Sequence, residues 1–426
     1  MTILPSQSKT PAFLSGDSIK VEKNLFVARE HELTQLEDFL LKTISGMGNV
    51  VFITGEAGSG KTSLIQEFTQ IVQESYSDVL VAIGNCNAHS GSGDPFLPFR
   101  EILELLTGDV EARWAAGAVS TEQARSLWNC CPVAIQAILE VGPDLIDTFV
   151  AGTGLINRAS LAAPIDDNYL EELKNLVRRK STGLADPNPQ QQNLLDQYTR
   201  VLQLLSRQSA LIIIVDDLQW ADLGSISLLF HLGREITGFN ILVIGAYRPE
   251  DVALERGGER HPLKPVINEL KRNYGEIGIN LDRIGSLEFV EAVIDSEQNS
   301  LGSSFREMIF KQTAGHPLFT IELLRGLQER GDLVQDQDGS WIEGSALDWD
   351  KMPGRVEAVI AERIGRLKQP MQDVLRIASV EGEMFTSEAL AQVLDIDPQD
   401  MLSCLSTELE KKHRLVKAHS IQRRDN

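Results

Sequence analysis

Asn49-Val-Val-Phe-Ile-Thr-Gly-Glu-Ala-Gly-Ser-Gly-Lys-Thr62 is the stretch that decides the fold. Asn49 to Thr54 is short, apolar and β-branched, with glycine on both sides, and reads as a buried strand. Gly55 to Thr62 follows the spacing G-x-x-x-x-G-K-[ST]. Glycines let the backbone turn so that successive N–H groups converge on phosphate oxygens. A helix starting near Lys61 adds the positive end of its dipole. Lys61 is placed to reach the β- and γ-phosphates and the Thr62 hydroxyl to ligate Mg²⁺. The spacing alone also occurs in glycine-rich turns that bind nothing. The context here decides: a strand stands directly before, and Thr62 to Gln73 carries Leu64, Ile65, Phe68, Ile71 and Val72 on one helical face.

On either side of this stretch, Arg29 to Lys42 has helical spacing (Leu33, Leu36, Phe39, Leu40), and Val79 to Ile83 reads as a second strand. Strand–helix–strand favours a parallel sheet. Further strands are expected at Ala210 to Val215, Ile241 to Gly245 and, more weakly, Ile277 to Leu281. Residues from about Asp94 to Ser206 are mostly helical in pattern, broken at Pro143, Pro164 and Thr182 to Pro189, and read as an insertion between strands.

Leu211-Ile-Ile-Ile-Val-Asp216-Asp217 supplies the acidic half of a site, because open α/β sheets place ligands at the carboxyl ends of their strands. Asp216 is expected to hold Mg²⁺ through water. Asp217 is expected to orient or deprotonate an attacking water, with Asp222 as a rival for that role. Arg248, ending the next strand, is placed to sense a γ-phosphate. The catalytic set expected is therefore Lys61, Asp217 and Arg248, and the metal set Thr62 and Asp216. The nucleotide-binding set runs through Gly55, Glu56, Ala57, Gly58, Ser59, Gly60, Lys61, Thr62 and Ser63.

The chain has 426 residues, 42% hydrophobic and 24% charged, ordinary globular composition for roughly two to four domains. Forty Lys and Arg against 61 Asp and Glu give a formal charge of −21, which disfavours coating a polyanion over the whole surface. The longest apolar run, Ala210 to Val215, is far short of the roughly 20 residues of a membrane span, so no membrane partner is expected. Residues 1–24 read as a loose leader without the pattern of a signal peptide. Four cysteines make no disulfide framework, and a reducing, cytoplasmic location is the simplest expectation. Cys86 and His89 lack a second ligand pair for zinc, and the cysteines read as buried and apolar.

From about Ser286 the pattern is helical: Leu287 to Asp295, Ser304 to Lys311 and Leu318 to Arg330. A hairpin over Leu333 to Ile342 turns at Asp338-Gly339. Helices at Arg355 to Leu367, Met371 to Val380, Ser387 to Leu394 and Pro398 to Lys411, closed by Arg414 to Lys417, suggest a winged helix. The domains expected are a leader (1–24), a sheet domain (25–285) with its insertion (about 94–206), a helical lid with the hairpin (286–350), and a winged-helix-like region with a basic tail (351–426).

Five elements, in order, resemble the STAND branch of P-loop ATPases, in particular the AAA-type module of LuxR-type and maltose-activator-like regulators and of adenylate-cyclase-associated ATPases. They are Phe26 to Glu30, Gly55 to Thr62, Val215 to Asp222, Gly245 to Arg248 and Gly315-His-Pro317. The resemblance covers about Leu25 to Val416. It implies that Val27 and Arg29 line an adenine pocket, although Ala28 stands where the family prefers Gly. It also implies that Pro317 of the lid packs on the nucleotide; alone, Gly then Pro would be an ordinary helix start. ATP or ADP with Mg²⁺ would be the ligands, and a slowly hydrolysing nucleotide switch the activity. An unidentified inducer or partner protein and a nucleotide-dependent homo-oligomer would follow. No trans-acting arginine is evident beyond Arg260, and His413 is a further candidate for nucleotide contact. Lys411 to Arg424 carries six Lys and Arg and no acid, so an origin-recognition-like ATPase gripping DNA is the alternative.

Overall fold

A computed structural model describes residues 11, 26–87, 95–162, 167–181, 191–253, 260–283, 287–345, 347, 349, 361, 364–365, 367–382, 384–412, 415–416 and 418. Five strands form one parallel sheet: β1 Asn49–Thr54, β2 Val79–Asn85, β3 Ala210–Asp216, β4 Ile241–Tyr247 and β5 Gly278–Asn280, in the order β2-β3-β4-β1-β5. The β-branched runs are buried on both faces, as a parallel sheet covered by helices requires. In β1, Val51 and Ile53 face one layer while Val50 and Phe52 face the other.

The first layer is α1 (Glu30–Ile44) and α2 (Lys61–Ser75), through Leu36, Leu40, Leu64 and Phe68. The second is broader. It combines the inserted helices α3 (Leu97–Leu106), α4 (Glu111–Ala115), α5 (Thr121–Val141), α6 (Gly152–Leu161), α7 (Asp167–Ser181) and α8 (Gln191–Leu205) with α9 (Leu223–Glu235), α10 (Pro249–Ala253) and α11 (Leu263–Tyr274). The insertion thus extends the core: Tyr198 meets Phe99 edge to face and Phe149 at a tilt, and its hydroxyl donates to the Phe99 carbonyl at 2.8 Å.

Beyond the sheet, α12 (Leu287–Asp295), α13 (Ser303–Thr313) and α14 (Pro317–Arg330) close on their own core of Val290, Phe305, Ile309, Leu323 and Leu327. The hairpin forms as expected, with β6 (Leu333–Gln335) antiparallel to β7 (Trp341–Glu343) and Gly339 at φ 79° in the turn. A further small core joins α15 (Gln369–Glu381), α16 (Ser387–Leu394), α17 (Pro398–Ser403) and a π-helical run, Cys404–Lys412. A winged helix is not established among the described residues. Leu415 and Val416 are in no strand, and the Leu415 N–H turns back to the Leu409 carbonyl at 2.8 Å. Most of the expected helix Arg355 to Leu367 (all but 361, 364, 365 and 367), together with His413, Arg414, Lys417 and the tail beyond 418, lies outside the described residues. So do His89, the Thr182 to Pro189 loop and the leader apart from Pro11.

Candidate phosphate-binding site

The carboxyl ends of β1, β3, β4 and β5 converge, and each delivers one part of the site. Gly55 to Gly60 carry the chain from β1 into α2. Gly58 (φ 77°) and Gly60 (φ 95°) occupy the left-handed region that glycine enters without Cβ strain. The side chain of Lys61 is 7% exposed, and its Nζ donates to the carbonyls of Gly55 and Glu56, both at 2.8 Å. Burial pulls the ammonium below its usual range, and the neighbouring Arg248 pushes it the same way. Ser59 Oγ is buried without a hydrogen-bond partner. From β5, Asp282 Oδ1 accepts the Glu56 N–H at 2.8 Å and steadies the loop. The α2 N-terminus, with its free first-turn N–H groups, sits at the loop's end, where an anion is favoured.

At the end of β3, Thr62 Oγ1 donates to Asp216 Oδ2 at 3.1 Å, joining the two residues expected to share a metal. Asp216 is 6% exposed, and burial raises its carboxyl to about 6, with the adjacent Asp217 adding to the rise. The Asp217 N–H donates to Asp216 Oδ1 at 2.9 Å. Asp217 takes φ 56°, so the chain reverses there and its carboxylate comes within 3.9 Å of Arg248 Nη2. Arg248 Nε is buried without a partner.

Asp222 is committed elsewhere. Its carboxylate caps α9, accepting from the Ser225 N–H at 3.0 Å and the Ser225 hydroxyl at 2.5 Å, and Oδ2 also accepts from the Phe96 N–H at 3.3 Å. Of the two acids that competed in the sequence for one role, Asp217 is the one at the cluster.

The lid reaches the same loop. His316 Nε2 lies 3.1 Å from the Ala57 carbonyl, and the Leu318 N–H donates to the Gly58 carbonyl at 3.3 Å. Pro317 sits between them as the first residue of α14, and the His316 ring stacks on Phe319 with centroids 4.0 Å apart. A Cβ on Gly58 would lie 2.7 Å from Leu318 Cβ, so glycine is what lets lid and loop meet. On the opposite side, Arg29 Nη2 donates to the Ser59 carbonyl at 3.1 Å while Nη1 pairs with the buried Glu32 at 3.1 Å. Ala28 adopts φ 55°, the conformation that a glycine would supply. Val27 is half-buried beside it, and Arg260 is exposed in the segment after β4.

Three contacts were missed by sequence reasoning. Asp282 stands at the carboxyl end of β5, where the rule that found Asp216 also applies. His316 and Gln219 lay inside quoted motifs as spacer positions. The Gln219 amide proves to be 1% exposed and to bond both Asp217 and Arg248.

The donor set, one hydroxyl and one carboxylate joined at 3.1 Å, has the oxygen chemistry that suits a small hard cation beside an anion. Among the described residues no group of three or more His, Cys, Asp or Glu side chains is arranged to hold a metal by itself. Cys86 and Cys131 are buried, and burial pushes their thiols up, Cys131 to about 12. Among the described residues no helix is long and apolar enough to cross a membrane.

The model of the AAA ATPase domain matches residues 25–244, more than half of the chain. Uncharacterized protein R02095 of Rhizobium meliloti (strain 1021) is 24% identical over 224 residues, which is 52% of this chain. The chain spans only 18% of that relative's length. Among solved structures, the chain is similar to the Aeropyrum pernix ORC1 protein in complex with DNA (15% identity, 91% of this chain and 84% of that one, TM-score 0.39). It is also similar to a Pyrococcus horikoshii STAND protein with a tetratricopeptide repeat sensor (17% identity, 94% and 40%, TM-score 0.39). A third is Cdc6p from Pyrobaculum aerophilum (14% identity, 96% and 91%, TM-score 0.38).

Proposed function

This chain belongs to the AAA ATPase domain family, and from that premise we propose that it is a STAND-type nucleotide switch that binds ATP or ADP at the Gly55–Thr62 loop and hydrolyses ATP slowly. The observation that carries the reading is the 3.1 Å contact between Thr62 Oγ1 and Asp216 Oδ2, which joins the glycine loop to the acidic strand end. Gly55 to Ser63 cradle the phosphates, and Lys61 exchanges its bonds to the Gly55 and Glu56 carbonyls for phosphate oxygens. Thr62 and Asp216 would hold Mg²⁺, which when bound neutralises phosphate charge. Asp217 takes a proton from water as its oxygen bonds the γ-phosphorus; the bond to the β–γ bridging oxygen breaks, and its electron pair leaves on ADP. Arg248, one strand over, faces the charge that develops. In this reading Val27 and Arg29 line the adenine pocket, and Pro317 packs on the nucleotide.

The switch rests on the lid. His316 and Leu318 bond the loop's carbonyls, so a change in what the loop holds changes the lid's footing. A ligand shifts two arrangements only by its differential affinity for them. Moving 1:99 to 99:1 takes roughly 5.5 kcal/mol. An inducer and a nucleotide-dependent homo-oligomer belong to this reading.

The test is thermal. Mg·ATP or ADP at 100 times Kd should stabilise the protein by about 2.7 kcal/mol, and Lys61→Ala should abolish the shift. Phosphate release should fall by about a hundredfold or more in Asp217→Asn, leaving a residual rate that can still be measured. Sizing with ADP against a non-hydrolysable ATP analogue tests assembly. No shift with either nucleotide would overturn the proposal.

A further inference from the structure

Gln219 is a buried polar residue whose side-chain amide is engaged at both its nitrogen and its oxygen beside the cluster. Its Nε2 donates to Asp217 Oδ1 at 2.6 Å, and its Oε1 accepts the Arg248 N–H at 3.1 Å. The amide orientation is chemically fixed, because the reverse would set a carbonyl oxygen against a carboxylate and an NH₂ against an N–H. The backbone carbonyl is held from behind. His261 Nδ1 accepts the Leu263 N–H at 3.2 Å, so a neutral ring carries its proton on Nε2, which lies 3.2 Å from the Gln219 carbonyl. One side chain thus spans the ends of β3 and β4. It occupies Asp217 Oδ1, and among the described residues Asp217 Oδ2 makes no hydrogen bond, leaving that oxygen free to take a proton.

We infer that Gln219, anchored on the Arg248 N–H, is the positioning residue that aims Asp217 Oδ2 at the attacking water. This rests on the proposed hydrolytic reading. Gln219 touches no nucleotide in this scheme, so its loss should lower kcat and leave binding unchanged.

The experiment uses the full chain with Mg·ATP. Phosphate release and ADP affinity are measured for Gln219→Met (similar volume, neutral, no hydrogen bonds), Gln219→Glu (the acceptor for Arg248 kept, the donor to Asp217 lost), Asp217→Asn and the double variant Asp217→Asn/Gln219→Met. Both Gln219 variants should bind ADP within about threefold of wild type while kcat falls at least about tenfold, with KM little changed. In the Asp217→Asn background, Gln219→Met should remove nothing further, because a residue that acts through another is non-additive with it. Turnover within threefold of wild type in Gln219→Met, an additive loss in the double variant, or a fall in ADP affinity matching the fall in turnover would each overturn the inference. The proposed function fails separately: if Asp217→Asn hydrolyses at the wild-type rate, the base assignment itself is wrong.

Discussion

Asp216→Asn should make the protein more stable and less able to use nucleotide, and the structure sets the size of both effects. Asp216 is buried with its carboxyl raised to about 6 from the usual 3.8, chiefly by burial and then by Asp217. A carboxyl whose folded value exceeds its unfolded value binds the proton more tightly when folded. Its contribution is therefore fully present below the unfolded value and is lost as pH rises through the folded one. Linkage between 3.8 and 6 gives a loss of about 1 kcal/mol at pH 4.5 and about 3 kcal/mol above pH 7. Asparagine escapes that loss. Its carbonyl still accepts the Asp217 N–H, and its NH₂ can donate to the Thr62 hydroxyl, so both existing contacts have a counterpart. Without nucleotide, the variant should gain about 1 kcal/mol at pH 4.5 and about 3 kcal/mol at pH 8.

Several cores in one chain make a single unfolding midpoint a poor gauge. Amide exchange of the peptide carrying β3 is the suitable assay, with variant and wild type compared at the same pH so that intrinsic exchange cancels. About 3 kcal/mol corresponds to roughly a hundredfold slower exchange in the variant at pH 8. Mg·ATP at 100 Kd should then return about 2.7 kcal/mol to the wild type and little to the variant. A variant that exchanges faster than wild type at pH 8, or a gap that does not change between pH 4.5 and pH 8, would refute the burial argument.

Three further outcomes are expected. Ala28→Gly should relieve a left-handed alanine and stabilise the entry to α1 by up to about 1 kcal/mol, read as slower amide exchange in the peptide carrying α1; faster exchange would mean that the methyl group packs. Gly58→Ala should push a Cβ to 2.7 Å from Leu318 at a φ of 77°, and should raise amide exchange at the start of α14 while β6 and β7 keep their protection. His316 is held below its ordinary range by desolvation, against the pull of the Ala57 carbonyl, Glu56 and Asp282. A base whose folded value is lowered gives its stability above its unfolded value of 6.5 and loses it as pH falls below that. The cause is concrete: protonation would leave a buried Nδ1–H with no acceptor, since Nδ1 has no partner now. Exchange at the α14 N-terminus should therefore rise between pH 7 and pH 5.5, and the rise should be absent in His316→Gln.

The sheet was legible because its signals are local. Val50 to Ile53 and Leu211 to Val215 are apolar enough to be buried on both faces, and the glycine loop between β1 and α2 has a spacing with one mechanical meaning. Strand order was not legible, since nothing in the side chains of β4 says that it lies between β1 and β3. Asp222 could have been read correctly: Asp followed by Ser three residues later, at the head of an apolar helix, is a cap signal. Gln219, Asp282 and His316 are different. Gln219 has a local partner in Asp217, but its other partner and those of Asp282 and His316 lie 29, 226 and 259 residues away, and only the folded chain brings them into reach. Ala28 illustrates the converse. Its sequence departs from the resembled pattern, yet the backbone keeps the left-handed turn and accepts the strain.

The electrostatics of the cluster give a reason, independent of any motif, for what should occupy it. Lys61 is drawn toward neutrality by burial and by Arg248, and Asp216 by burial and by Asp217. Each sign of charge is thus crowded by its own kind in a place with little water. The two pairs do not resolve this between themselves: Lys61 directs two of its three N–H donors to the Gly55 and Glu56 carbonyls rather than to the acids, and Arg248 Nε stays without a partner. A cation alone would relieve the acids and worsen the field at Lys61 and Arg248; an anion alone would do the reverse. A ligand that brings a divalent cation and a polyanion joined to each other relieves both at once. Mg²⁺ and nucleotide should for that reason bind with positive coupling here, each raising the affinity for the other by the same factor.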